Sequence, residues 1–445
     1  MIRKMQLSML LVCLMVVSIL SACGSNNEAS KSDKIVESPS GSTSNMAVET
    51  EAPPEPVTLN YSTFDNVDPG SVNSDMAKAY MEKFPHVTIK LNKVGAKDPN
   101  GSDPLMVQIA GGADIDIIDQ GNNINLMDMV NKEITLDLGP YIEKNKVDFG
   151  PAQQLTEQSK INGKTYALHG RKSWWGLFYN KDLFDQANVT YPTNDTTWEQ
   201  FREMAVKLTD RSKQVYGTFQ DTWTVSTSML AVQQGKGISN LTLEDPLLQS
   251  LTFWKSLWVD DKVIKPWADI VISKTWGVPE FESGKVAMMV TGDWMLSGVN
   301  ADVKAGKVKM NYDVVAPPHS EGVKAGTTWS MPTSHIVYAK SKHPDEAFKF
   351  ILFMCNSEAG AKIWAEHNFV PVYSTPESQS IYSNLIGSTP EHLKDFLAMM
   401  SSVPEALPLD NVAARQTEWD KQAQLVMLGE KTPEKAFTDF KAAVK

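Results

Sequence analysis

Between Val57 and Asp119 the spacing of apolar residues switches repeatedly between two periods. Val57, Leu59 and Tyr61 alternate, as on a strand with one buried face. Met76, Ala79, Tyr80 and Phe84 then share one face of a helical stretch, which Pro85 stops. Val87, Ile89 and Leu91 alternate again. A second helix is predicted from Asp103 to Ala110, closed by Gly111-Gly112, and IDIID supplies another short strand. This β-α-β-α-β order leaves few folds open. Strands joined through helices pair in parallel by right-handed crossovers and build an open α/β sheet.

The same two signals continue down the chain. Thr197-Trp198-Glu199-Gln200 reads as a capping box that opens a helix, with Trp198, Phe201, Ala205 and Leu208 turned inward. VAMMV (286–290), YDVVA (312–316) and HIVYA (335–339) return as short apolar strands. Pro344 starts a helix with Asp345 and Glu346 in its first turn and Ala347, Phe350, Ile351 and Met354 on its apolar face. Thr432-Pro433-Glu434 opens the last helix, with Phe437, Phe440 and Val444 inside. No repeat of solenoid period is present.

The amino terminus sets the compartment. Arg3 and Lys4 precede an apolar stretch from Leu7 to Leu20, too short to read as a permanent membrane span. It ends in Leu20-Ser21-Ala22-Cys23-Gly24, which resembles the bacterial lipoprotein signal. Residues 1–22 are then a leader, and the Cys23 thiol carries a diacylglycerol. Residues 24–56 are rich in Ser, Asn, Glu and Pro and cannot bury enough surface to offset ordering entropy, so 23–56 reads as lipidated cysteine plus flexible tether. The remaining stretch, 57–445, is long enough for two domains.

The formal net charge is −11, more negative still once Arg3 and Lys4 leave with the leader. That argues against nucleic acid or an anionic membrane surface as the main partner. Of the three cysteines, Cys13 leaves with the leader and Cys23 is the lipid site. Cys355 then stands alone in FKFILFMC as a buried structural thiol, and the folded part is held by its core rather than by disulfides.

Nine segments, in order, resemble family 1 extracellular solute-binding proteins, the group that includes maltose-binding protein. They are AYMEKFPHVTIKL, IAGGADIDIID, INGKTYALHG, GLFYNKDLFDQANV, TWEQFREMAVKLT, FESGKVAMMVTGDW, YDVVAPPHSEG, HPDEAFKFILFMCNSEAG and GEKTPEKAFTDFKAAV. Together they span nearly all of 57–445. The resemblance implies a two-lobed periplasmic-binding-protein-like α/β fold of type II, with a ligand cleft between lobes joined by a hinge of crossing strands. It further implies a monomer on the outer face of the cell membrane that delivers a small-molecule ligand, a carbohydrate, to an ABC-type permease. Chain crossings are expected near Arg171–Gly176, Thr327–Pro332 and Phe369–Ser374. The N-lobe is then 57–172 plus 328–372, and the C-lobe 173–327 plus 373–445.

Sugars present C–H faces that stack on aromatic rings and hydroxyls that pair with carboxylates and amides. In open α/β sheets, ligands bind beyond the carboxyl ends of strands. Asp65 follows the first strand, Asp119 and Gln120 follow IDII, and Asp293 and Trp294 follow AMMVTG. Of the twelve tryptophans, Trp198, Trp254, Trp258 and Trp364 have core spacing on helices. Trp294 and Trp223 fall where the family places aromatic contacts, and Trp175 and Trp329 fall at the expected crossings. Those eight residues are the ligand-binding candidates, each with a packing or turn-forming alternative. Arg171 departs from the family's more neutral stretch. It reads either as a receptor for the carboxylate of an acidic sugar or as a solvated basic turn.

Catalytic signatures are missing: G-x-S-x-G, H-E-x-x-H, G-x-x-x-x-G-K-[ST] and C-x-x-C do not occur, and seven histidines are scattered without ligand spacing. No cofactor, metal site or catalytic residue is expected. Two rival readings remain, a capture protein for a peptide or other non-sugar solute and, more remotely, an extracellular glycosidase with two carboxylates in an aromatic cleft.

Overall fold

The computed structural model describes residues 54–95, 103–120, 123–240, 242–243, 245–330, 332–385, 390–406 and 411–444. The expected leader, Cys23 and most of the tether lie outside these residues. Among the described residues no helix is long and apolar enough to cross a membrane.

The strands, in chain order, are β1 (Val57–Thr63), β2 (Val87–Lys93), β3 (Ile117–Gln120), β4 (Leu168–His169), β5 (Arg171–Lys172), β6 (Trp175–Asn180), β7 (Tyr216–Phe219), β8 (Val286–Gly292), β9 (Tyr312–Val315), β10 (Thr327–Ser330), β11 (Ser334–Val337), β12 (Val370–Pro371) and β13 (Ser401–Pro404). A five-stranded sheet has the order β2-β1-β3-β11-β4, and a four-stranded sheet the order β7-β8-β6-β9. In the first, β1 is parallel to β2 and β3, while β11 runs antiparallel to β3 and β4. In the second, β7 and β8 are parallel and β6 is antiparallel to β8 and β9.

Local chemistry sets the element ends. The helix Pro104–Ala110 is capped by Asp103, whose carboxylate accepts from the N–H groups of Leu105 and Met106. Thr197 and Gln200 form the reciprocal capping box that opens Trp198–Leu208. Gly217 in β7 is obligatory, because a Cβ there would lie 1.9 Å from the Ala205 carbonyl of that helix.

Leu59, Tyr61, Val87 and Ile117 pack with Tyr80, Phe350, Ile351, Met354 and Trp364 on one face of the five-stranded sheet. Cys355 is buried in this cluster and forms no disulfide. A larger cluster holds the four-stranded sheet through Leu177, Phe178, Met289 and Val290, with Trp198, Trp254 and Trp258 in it. It also takes in Ile118, Leu126 and Met129 from the region of the first sheet.

Four short strands form two further two-stranded sheets. β5 pairs antiparallel with β12, and β10 pairs parallel with β13. The Thr328 hydroxyl donates to the Trp175 carbonyl at 2.7 Å and accepts from the Trp175 N–H at 2.9 Å, tying β10 to the start of β6.

Candidate functional site

Register brings the polar candidates of the first sheet together. Asp119 lies opposite His335, and Ser334 opposite His169. Arg171 follows two residues after β4, and Asp65 two residues after β1. All therefore sit at the end of the sheet where β1 and β3 finish. Asp119 is buried and accepts from Thr63 Oγ1 at 2.8 Å. Its other oxygen is enclosed without a hydrogen bond, 3.9 Å from His335 Nδ1. Burial pushes its pKa up to about 8, and the neighbouring Asp65 charge adds to the shift. Burial pushes His335 down to about 3 and His169 down to about 4, so both are neutral at physiological pH. Gln120 ends β3, and its side chain lies outside the described residues.

Arg171 corrects the reading of a solvated basic turn. It is a strand residue only 6 % exposed. Its Cζ lies 4.0 Å from the centroid of the Phe369 ring, its Nε donates to Thr333 Oγ1 at 3.2 Å, and its Nη2 lies 3.7 Å from Asp65 Oδ2. The guanidinium thus already has a carboxylate partner within the protein.

The second sheet presents the matching end. β8 stops at Gly292, and Asp293 N–H donates to the Trp174 carbonyl. The buried Asp293 accepts from Ser173 Oγ at 3.2 Å, and its Oδ2 is enclosed without a partner. Burial raises its pKa to about 6, and the positive charge of Arg171 limits the rise.

The four candidate tryptophans, distant in sequence, form one cluster. Trp175 lies 5.2 Å from Trp294 edge to face, 5.4 Å from Trp329 and 6.4 Å from Trp223, measured between ring centroids. Trp223 and Trp294 are 5.8 Å apart. Trp175 and Trp329 are wholly buried, while Trp294 is partly exposed and Trp223 is 40 % exposed. The cluster therefore has an inner pair and an outer pair. Trp294 packs against both hydrophobic clusters, so it bridges the two halves of the core.

Three features were not anticipated from sequence. Gly292 leaves room for the Trp294 ring, because a Cβ there would lie 2.0 Å from it. Phe64, beside Asp65, is 39 % exposed. Trp276 is 44 % exposed, in a loop whose sequence gives no strand-end signal. A recess of about 430 Å³ opens beside the β10–β13 pair, lined by Gln233, Gln234, Glu321, Val323, Thr327 and Val403. It has no aromatic wall and none of the enclosed carboxylates, and the tryptophan cluster is the candidate site.

Buried polar groups are ordinarily paired. Around this seam Asp119 Oδ1, Asp293 Oδ2, Arg171 Nη1 and the indole nitrogens of Trp175 and Trp329 are enclosed without a partner. Two α/β sheets that turn their strand ends toward one aromatic and acidic seam define a two-lobed binding protein. Residues 66–361 match the family model described as bacterial extracellular solute-binding protein, and the chain belongs to that family.

Solved structures give the same fold. The chain is similar to an ABC substrate-binding protein from Listeria monocytogenes in complex with cycloalternan. The two are 26 % identical, the match covers 88 % of this chain and 98 % of that one, and the TM-score is 0.75. It is also similar to a sugar transporter from Rhizobium etli in an open conformation, with 28 % identity, 87 % and 98 % coverage, and a TM-score of 0.67. CpMnBP1 with mannobiose bound shares the fold at 21 % identity, with 88 % and 100 % coverage and a TM-score of 0.73.

Proposed function

We propose that this chain is the ligand-capture subunit of an ABC importer, and that it takes a neutral carbohydrate, an oligosaccharide, between its lobes. The observation that carries this reading is the tryptophan cluster: two outer indoles reach solvent, backed by two buried ones, with the buried Asp293 directly before Trp294 in the chain. The outer pair, Trp223 and Trp294, stack on sugar faces, and Trp175 and Trp329 hold them in place. Asp119, kept protonated by burial, donates to or accepts from a hydroxyl, and Gln120 and Asp65 border the same edge. The Arg171 charge is met by Asp65, so the site does not need an acidic ligand. The resemblance to sugar-binding relatives supports the same class. The lobes comprise 57–172 plus 328–372 and 173–327 plus 373–445. The chain acts as a monomer, held to the outer face of the membrane by a lipid on Cys23, and passes its ligand to the permease.

A thermal-shift screen of mono- and oligosaccharides, with peptides alongside, tests the ligand class. Ligand at 100 times its Kd stabilises by about 2.7 kcal/mol. Shifts with peptides and none with sugars would reverse the reading, and cleaved sugar in the same samples would favour a glycosidase. In calorimetric titrations Trp294→Ala weakens binding by about five- to a hundred-and-fifty-fold, the loss of one stacked ring. Trp175→Ala instead costs about 3–5 kcal/mol of folding stability. For the anchor, Cys23→Ser releases soluble protein or leaves the precursor uncleaved, and normal membrane retention would refute it.

A further inference from the structure

All twelve tryptophans lie in the described residues, and nine of them are buried. Three reach solvent: Trp223, Trp294 and Trp276. Two of the three belong to the cluster just described. An indole left 44 % exposed exposes apolar area that folding normally hides, so Trp276 needs an account of its own.

Its position supplies one. Gly277 N–H donates to Asp221 Oδ1 at 3.0 Å, and Asp221 is itself buried two residues before Trp223. The buried Asp221 carboxylate therefore ties the backbone next to Trp276 to the segment that leads into Trp223. Gly277 also presses on β8, where a Cβ would come within 2.3 Å of the Met289 side chain. The backbone of Trp276 is extended (φ −144°, ψ 174°) immediately before the helix Gly277–Glu282 begins. These contacts hold Trp276 at the end of the four-stranded sheet that carries Trp223, after β7, and Trp294, after β8.

We propose that Trp276 is a second stacking position, beyond Trp223, for a further ring of an oligosaccharide. The proposal rests on the carbohydrate reading and sharpens it. The Trp223–Trp294 pair takes one sugar ring, Trp276 takes another along the chain, and Asp221 sets the spacing between the two. The site then discriminates by chain length. A monosaccharide engages the inner position only, and a di- or trisaccharide also gains the second.

The test is calorimetric titration of the full-length chain with D-mannose, mannobiose and mannotriose, and with D-glucose, maltose and maltotriose. Trp276→Ala is expected to weaken the best-bound di- or trisaccharide by about five- to a hundred-and-fifty-fold, the range for loss of one stacked ring. It leaves the affinity for the corresponding monosaccharide and the ligand-free melting temperature unchanged. Trp276→Phe, which keeps an aromatic face, recovers most of the lost affinity. Trp294→Ala weakens all lengths. If Trp276→Ala matches wild type at every length, or weakens mono- and trisaccharide equally, the second position is wrong while the carbohydrate reading stands. If wild type binds none of the six sugars, both fall together.

Discussion

Asp119 is a carboxyl group whose burial favours the protonated form. Its folded pKa of about 8 lies above the ordinary carboxylate value, with burial as the main cause. A raised acid stabilises the folded state fully only below its unfolded pKa, and that stability drains away as pH rises through the folded value. Stability should therefore fall for this group from about pH 4 to pH 8. The neutral histidines His169 and His335 act in the opposite direction, and only below their unfolded pKa, so they are silent above pH 6.5. Melting temperatures of ligand-free wild type and Asp119→Asn, taken from pH 6.5 to 9, should diverge, with wild type falling more steeply. Groups common to both proteins cancel in that difference. Parallel curves would mean that Asp119 is already ionised in the folded protein. At this scale sequence was a partial guide. Asp119 was expected to follow a strand and lies inside β3, one residue from its end, while Asp293 follows β8, so their placement at sheet ends was legible. Their protonation was not, because it depends on neighbours such as Thr63, Asp65 and Ser173 that only the fold assembles. The pairing of Arg171 with Asp65 and Phe369 was hidden for the same reason, since all three come from separate parts of the chain.

The junction from β8 into the helix Trp294–Lys304 is the element on which the candidate site turns. VAMMV was legible as a buried strand, and the structure extends it through Thr291 to Gly292, all buried. Asp293 then turns the chain, with Leu296 and Ser297 N–H bonded to its carbonyl, and the Trp294 indole folds back over Gly292. A methyl group at Gly292 would stand 2.0–2.5 Å from three ring atoms, a distance no side chain tolerates, so the indole has to leave. Gly292→Ala is thus a way of moving Trp294 without removing it. Its expected signature is lost ligand affinity comparable to Trp294→Ala, with overpacking costing about 1–3 kcal/mol of stability. Titration calorimetry and denaturant unfolding read the two effects separately. Unchanged affinity in Gly292→Ala would show that the position of Trp294 does not matter to binding. The element also shows why the four tryptophans divide as they do. Each was marked by its place at a strand end or crossing, which predicts convergence. Burial of Trp175 and Trp329 follows instead from β10 lying against the start of β6, held there by the Thr328 hydroxyl, and no local pattern in TTWS or SWWG encodes that contact.

At the scale of the molecule, alternating periods in 57–119 were enough to expect an α/β sheet, and the family resemblance supplied the second lobe. The resemblance also gave expected chain crossings near Arg171–Gly176, Thr327–Pro332 and Phe369–Ser374, but neither source gave how such paths are braced. The chain passes from β4 through β5 into β6, and from β10 into β11, while the short pairs β5–β12 and β10–β13 lie beside these paths. Short strands bend at small cost, whereas sheets with packed helices on them do not, so the compliant direction is rotation of one sheet with its helices against the other. The electrostatics point the same way. Asp65 and Asp119 belong to one sheet, Asp293 to the other, and the Arg171 guanidinium lies between them. A ligand that bonds both edges gains most when they approach, so it must favour the closed arrangement by its differential affinity for the two. Small-angle scattering on the protein with and without saturating sugar should show a smaller radius of gyration when bound. Trp294→Ala, brought to the same saturation, should compact equally if stacking supplies affinity alone, and less if Trp294, which packs against both halves of the core, also carries the closing force. An unchanged radius in wild type at saturation would mean that the seam binds its ligand without closing, and the clamp would have to be abandoned.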